Sequence, residues 1–288
     1  MRELAHDLLS AEFWRSHLLA IGYIGIGMLV FVVFLAADFP YGQALTSMLA
    51  PLNLALTYTD HHARLPIGTE LDGVRLSNTL MPGAPPLLDG ANVTLAPALG
   101  SLLLGRPGIH LEAELYGGFV SLVLYRISHG VGVGMDASSL DLSRYDELVR
   151  MGVNARGFLS GRGSGSLPNL DPMLGSGQVH LKLTHFTLRV IRGLPTLRFG
   201  DLDGSAHVEG GVVTVDSLDA AGGDFTVSAS GTIRLAADLP DSLIDLRVKL
   251  EPTPSGRRRL GPLFQMLPHP PGAQPYLVRG RLAAPQIS

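Results

Sequence analysis

The acidic, histidine and glycine-rich positions of this chain are those whose types could do chemistry, and their spacing argues against it. No Gly-x-Ser-x-Gly elbow, no His-Glu-x-x-His pair and no Walker A loop occurs in the 288 residues. Gly130-Val-Gly-Val-Gly134 lacks the strand–helix junction and the ribose-binding acid of a dinucleotide site, and reads as a glycine-rich strand. Gly222-Gly-Asp-Phe225 carries one acid where nucleotide cyclases need two, and reads as a hairpin turn. Asp201-Leu-Asp203-Gly204 is a fragment of a calcium loop without the remaining oxygen ligands, and reads as a turn. His61 and His62 are adjacent and point to opposite faces of a strand, and His180 and His185 also diverge unless a bulge reunites them. The chain has no cysteine, which removes thiol catalysis and thiolate metal sites. The expectation is therefore a non-enzyme with no cofactor and no metal.

The elements that would carry any site are strands. From Phe225, the residues Phe225, Val227, Ala229, Gly231, Ile233 and Leu235 alternate with Thr226, Ser228, Ser230, Thr232 and Arg234. Ser242–Leu250 repeats the scheme, with Ile244, Leu246, Val248 and Leu250 against Asp245, Arg247 and Lys249. Period two with one apolar side marks antiparallel strands that bury one face. Similar runs predict strands over 69–76, 91–95, 109–116, 119–127, 131–135, 157–161, 178–191, 205–208, 211–216 and 276–282. Gly117-Gly118, Gly210-Gly211 and Gly222-Gly223-Asp224 supply hairpin turns. Between Leu183 and Phe186 the apolar parity flips, which predicts a bulge at Thr184-His185. Two short helices are predicted: Leu142–Met151, with Ser143 as N-cap, and Arg258–Leu267, with Leu260, Leu263, Phe264 and Leu267 as its stripe. Arg257-Arg258-Arg259 beside that stripe is either a contact for anionic headgroups or an acidic partner, or the charged start of a helix that caps the sheet. The fold class is mainly β: an elongated antiparallel meander with one or two short helices.

One further element is not a strand. Leu18–Ala37 is an uninterrupted uncharged apolar run, and about 20 such residues span a bilayer core as a helix. It is longer than a signal-peptide core, and Asp38-Phe39-Pro40 after it is a poor cleavage context. Arg2 and Arg15 precede it and the next cation is Arg64, so the N-terminus is expected to stay cytoplasmic. The expected organisation is a cytoplasmic N-terminus over 1–17, a transmembrane anchor over 18–37 and a periplasmic β domain over 38–288. The soft spots are Leu80–Pro86 and the Gly/Ser tract 160–166, which read as a possible internal boundary.

Composition narrows the partners. A net charge of −3 offers nothing to nucleic acid. With 46% hydrophobic residues, the chain holds enough apolar surface for a packed domain. The apolar side formed by Phe225, Val227, Ile233, Ile244, Leu246 and Val248 is the candidate binding face, either a closed core or an open groove.

Several segments occur in the order found in a known family. Phe39-Pro40-Tyr41 leaves the apolar run, Ala96–Gly105 leads into Ile109–Gly118, and Leu194–Gly200, Gly210–Leu235 and Leu277–Pro285 follow. Together they resemble the GspN family, protein N of the type II secretion system, over nearly all of 18–285. Gly210–Leu250 is also similar to the repeated β units of AsmA-type proteins. The first resemblance implies a single-pass inner-membrane protein with a periplasmic β domain, partnered by other inner-membrane secretion components and supporting protein export, with no catalytic residues. The second implies an alternative, a periplasmic lipid-handling protein whose partner is membrane lipid.

Overall fold

The computed structural model describes residues 41–50, 53–64, 67–79, 86, 88–145, 154–169, 171–189, 195–236, 241–265, 269–272 and 274–288. The predicted span 18–37 and nearly all of the Pro-rich segment 80–86 lie outside the described residues. Among the described residues no helix is long and apolar enough to cross a membrane.

The described residues begin with helix α1 (Tyr41–Leu49), followed by fifteen strands in one antiparallel sheet. They are β1 (Leu54–Thr57), β2 (Asp60–Ala63), β3 (Thr69–Asn78), β4 (Leu88–Pro97), β5 (Gly108–Leu115), β6 (Gly118–Ile127), β7 (Gly130–Asp141) and β8 (Asn154–Pro168). They continue as β9 (Ser176–Arg189), β10 (Leu197–Glu209), β11 (Val212–Gly222), β12 (Phe225–Arg234), β13 (Leu243–Pro252), β14 (Tyr276–Arg281) and β15 (Ala284–Ile287). Helix α2 (Leu99–Leu103) joins β4 to β5, and helix α3 (Pro254–Phe264) follows β13. Short β1 and β2 lie end to end along β3; from β3 onward each strand pairs with the next in the chain.

The pairing register makes the two faces chemically different. One row across the sheet runs Leu95, Leu111, Leu122, Met135, Gly163, Val179, Ala206, Val215, Gly231, Leu246, Val278, Ile287, with no polar side chain from β4 to β15. The neighbouring row on the opposite face runs Thr94, Glu112, Ser121, Asp136, Arg162, His180, Ser205, Ser217. Cross-strand rows of one kind are what period-two sequences produce once register is set.

Helices close the apolar face at two places. Tyr41 and Leu45 of α1 bury against Leu71, Val74, Val93, Leu95 and Ile109. At the far side, Leu260 and Phe264 of α3 cover Ala220, Phe225, Val227, Val248 and Leu250. The rings of Phe186, Phe199, Phe225 and Phe264 form a chain there with centroids 5.4, 5.6 and 6.0 Å apart, a spacing that adds to burial.

Four local readings are corrected or refined. The Gly/Ser tract 160–166 lies inside β8, paired to β7 and β9 on both sides. Asp201–Gly204 is no turn: Leu202 packs with the α3 core while Asp201 and Asp203 point to the polar face, so the alternation of β10 continues through it. Of the helix predicted over 142–151, the described part is a 3-10 turn over Leu142–Arg144 whose cap is Asp141, one residue pair earlier than Ser143; the rest lies outside the described residues. Helix α3 begins at Pro254, four residues before the predicted start, because Thr253 Oγ1 accepts the Gly256 N–H at 3.2 Å and proline fits a first turn. The bulge at Thr184-His185 is present: His185 sits at φ +55° and its N–H donates to Asp201 Oδ1 at 3.0 Å.

Candidate functional site on the apolar sheet face

Between the two helix-covered cores, the middle of the apolar face is open. Its floor is set by glycines at every second position of β8, Gly161, Gly163 and Gly165, which share one face. Gly163 pairs with Met135 and Val179, and Gly165 with Val133 and Gly177, so the adjacent strands β8 and β9 bring backbone where side chains would stand. The result is an open recess of about 320 Å³ lined by Leu122, Val133, Met135, Gly163, Gly165, Leu167, Gly177, Val179 and Val208 among others. That volume lies at the lower end of small-molecule sites, and the lining is apolar. Met135 and Leu181 remain more than a third exposed beside it.

The six residues read from the sequence as a binding face are on this same side, but elsewhere. Phe225, Val227 and Val248 belong to the core under α3. Ile244 is buried, and Ile233 and Leu246 are half-buried farther along β12 and β13. The part of the face that stays open lies on β7–β10. The signal that marks it in the sequence is the Gly-x-Gly-x-Gly of 161–165, which reads as a flexible tract unless its period of two is taken as a strand.

The opposite face of the same strands is polar. A shallow depression of about 650 Å³ there is lined by Arg162, Ser164, Gln178, His180, Ser205, His207 and Asp216. His180 Nε2 lies 3.0 Å from Asp203 Oδ1, and His207 Nδ1 lies 2.9 Å from Asp216 Oδ1; all four side chains are about half exposed. His62 sits 3.2 Å from Asp72 on β3. His62 also lies 3.6 Å from Asp60, yet among the described residues no three His, Asp or Glu side chains converge as metal ligands would. His185 is held at its bulge through its backbone.

Among the described residues the one deeply buried carboxylate is Asp224, 4% exposed, at the turn between β11 and β12. It accepts the Arg198 N–H at 2.8 Å and the Arg259 guanidinium, which ties α3 to the sheet. The basic run read as 257–259 is thereby divided: Arg259 faces the sheet, while Arg257 and Arg258 stay exposed. The sequence reading placed Asp224 in a hairpin and did not foresee its partner, because nothing local to Gly222–Phe225 points 35 residues onward.

Comparison with protein-family models, with curated proteins and with solved structures gave no match.

Proposed function

We propose that the chain is an inner-membrane protein, anchored by residues 18–37 with its N-terminus in the cytoplasm, whose periplasmic β domain is a structural or assembly component of a type II secretion system. The ordered resemblance to the GspN family supports the reading, as does the anchor pattern of the first 40 residues. The observation that carries it furthest is the single meander sheet whose apolar face is packed at both sides by its own helices, a rigid platform of the kind a scaffold needs. Deleting the gene should leave general export across the inner membrane intact while secreted enzymes accumulate in the periplasm. Residues 39–288 expressed behind a cleavable signal should rescue poorly, because a tether raises the effective concentration of the domain near its partners. Normal secretion in the deletion strain would overturn the reading.

A second reading, AsmA-like lipid handling, is favoured by one observation: the open apolar recess over the glycines of β8 and β9. Under it, phospholipid should co-purify with the detergent-solubilised protein, and outer-membrane lipid composition should change on deletion. Co-purification of inner-membrane secretion components without lipid would reject it.

A further inference from the structure

The loop between β4 and β5 holds Leu99 and Leu104 out into solvent. Leu104 is 76% exposed, the most exposed large apolar residue among those described, and Leu99 on α2 is 58% exposed. A mobile loop would fold such residues back, but this one is pinned. Ala98 N–H donates to Gly108 O at 2.9 Å, Arg106 N–H to Ser101 O at 2.9 Å, and Ser101 Oγ to Ala98 O at 2.8 Å. Ser101 also sits where a Cβ on Gly108 would be, at 2.9 Å, so α2 rests directly on the start of β5. The leucines are therefore presented by a closed, hydrogen-bonded frame.

Two guanidinium side chains stand beside them. Arg106 and Arg126 line a recess of about 330 Å³ completed by Gly105, Pro107, Ile127 and Ser128, with no carboxylate in its wall. The Arg126 N–H donates to Pro107 O at 2.9 Å, which fixes the two arginine-bearing segments against each other. Apolar side chains projecting beyond a pair of exposed cations match a bilayer interface, where methylenes enter the acyl boundary and guanidinium forks take phosphate.

The chain direction agrees. The Asn53 N–H donates to Ala50 O, and the Thr79 N–H to Asn53 O, so the C-terminus of α1 lies at the end of β3. A Cβ on Gly42 would meet the Tyr58 ring at 3.1 Å, so α1 runs back along β1 and its N-terminus points toward the strand ends that carry α2. Only residues 38–40 separate α1 from the apolar run 18–37.

We propose that the β4–β5 loop is a membrane-docking tip: Leu99 and Leu104 enter the interface of an anionic phospholipid bilayer, and Arg106 and Arg126 hold a lipid phosphate. The site is distinct from the β7–β10 recess and does not depend on the secretion reading. Because the chain has no cysteine, a single Leu104→Cys in the full-length protein takes one environment-sensitive fluorophore cleanly. Ser143→Cys, exposed at the opposite strand ends, is the control. In vesicles of phosphatidylcholine with phosphatidylglycerol, quenching by lipid-borne nitroxide should be several-fold stronger at position 104 than at 143. Arg106→Glu with Arg126→Glu should reduce it several-fold in those vesicles. Equal quenching at both positions would overturn the proposal. So would a position-104 label shielded from aqueous quencher yet untouched by lipid nitroxide, which would assign the tip to a protein partner. Secretion measured in parallel separates this outcome from failure of the scaffold reading.

Discussion

Arg259 and Asp224 meet across 35 residues of sequence, the guanidinium of α3 donating to both carboxylate oxygens at the β11–β12 turn. The carboxylate is buried and the guanidinium half-buried, so the pair pins α3 over the phenylalanine chain as a hydrogen-bonded latch. Gly256 lets the helix come this close, since a Cβ there would lie 1.9 Å from the Asp224 carbonyl oxygen.

Breaking this latch from either side should be costly, because its carboxylate is buried. Removing one partner of a buried ion pair leaves the other desolvated and costs about 3 kcal/mol or more. Asp224→Ala and Arg259→Ala should each lower the urea midpoint accordingly. The double variant should lose less than the sum, which a double-mutant cycle reads directly. Additive losses would mean that the two side chains do not interact.

The two faces of β12 and β13 should respond oppositely to a new carboxylate. Ile244 is 9% exposed on the apolar side, and Ile244→Asp should destabilise by about 3 kcal/mol or more through an unpaired buried charge. Ser230 is exposed opposite Arg247, so Ser230→Asp should stay within about 0.5 kcal/mol of the parent protein, with any change favourable through the cross-strand pair. Equal destabilisation would show that both faces are covered.

Glycines should sort by backbone rather than by number. Gly231 has φ +147°, and a Cβ there would fall 2.2 Å from Asp245 O. Gly231→Ala should therefore cost more than about 1 kcal/mol. No atom approaches within 4 Å of a Cβ at Gly134, and Gly134→Ala should change thermal stability by less than about 0.5 kcal/mol. Calorimetric melting of the two variants checks the contrast.

Asp141 should titrate low. Its carboxylate accepts the Ser143 hydroxyl at 2.6 Å and the Ser143 N–H at 2.9 Å, and these bonds, with Arg144 adding a smaller attraction, hold its pKa below the ordinary 3.8. A depressed carboxyl pKa contributes stability at pH above its unfolded value and loses it as pH falls through the folded value. Ser143→Ala should move the Asp141 midpoint upward in a carbon-detected NMR titration. An unmoved midpoint would assign the depression to another cause.

Much of this sheet is legible in period two alone. Gly117 and Gly210-Gly211 take positive φ at their turns, and the parity flip at Thr184-His185 is a bulge because both apolar sets must stay on one side. Strand lengths were harder to read. Residues 160–166 look like a soft boundary because glycine and serine carry little propensity, yet β7 and β9 flank the tract on both sides and hold it extended. The open region escaped the same way: the sequence advertises large apolar residues on β12 and β13, where a helix covers part of the face, and conceals the recess behind residues without side chains. Helix α3 is legible as the stripe Leu260, Leu263, Phe264 and Leu267, the last of which lies outside the described residues, but its latch is not, since a long-range ion pair leaves no local pattern.

The last strand bears on what happens outside the single chain. Ser288 exchanges both backbone bonds with Leu277, so residues 284, 286 and 288 face β14 and the backbone of Pro285 and Ile287 faces outward. Proline has no N–H to offer, and it stands in one of the two outward positions of this edge, which no described strand pairs. A sheet of fifteen strands with a continuous apolar row could otherwise recruit another copy, strand upon strand, into a fibre. Pro285 acts as a terminator, and a Pro285→Val chain would carry an edge fit for polymerisation.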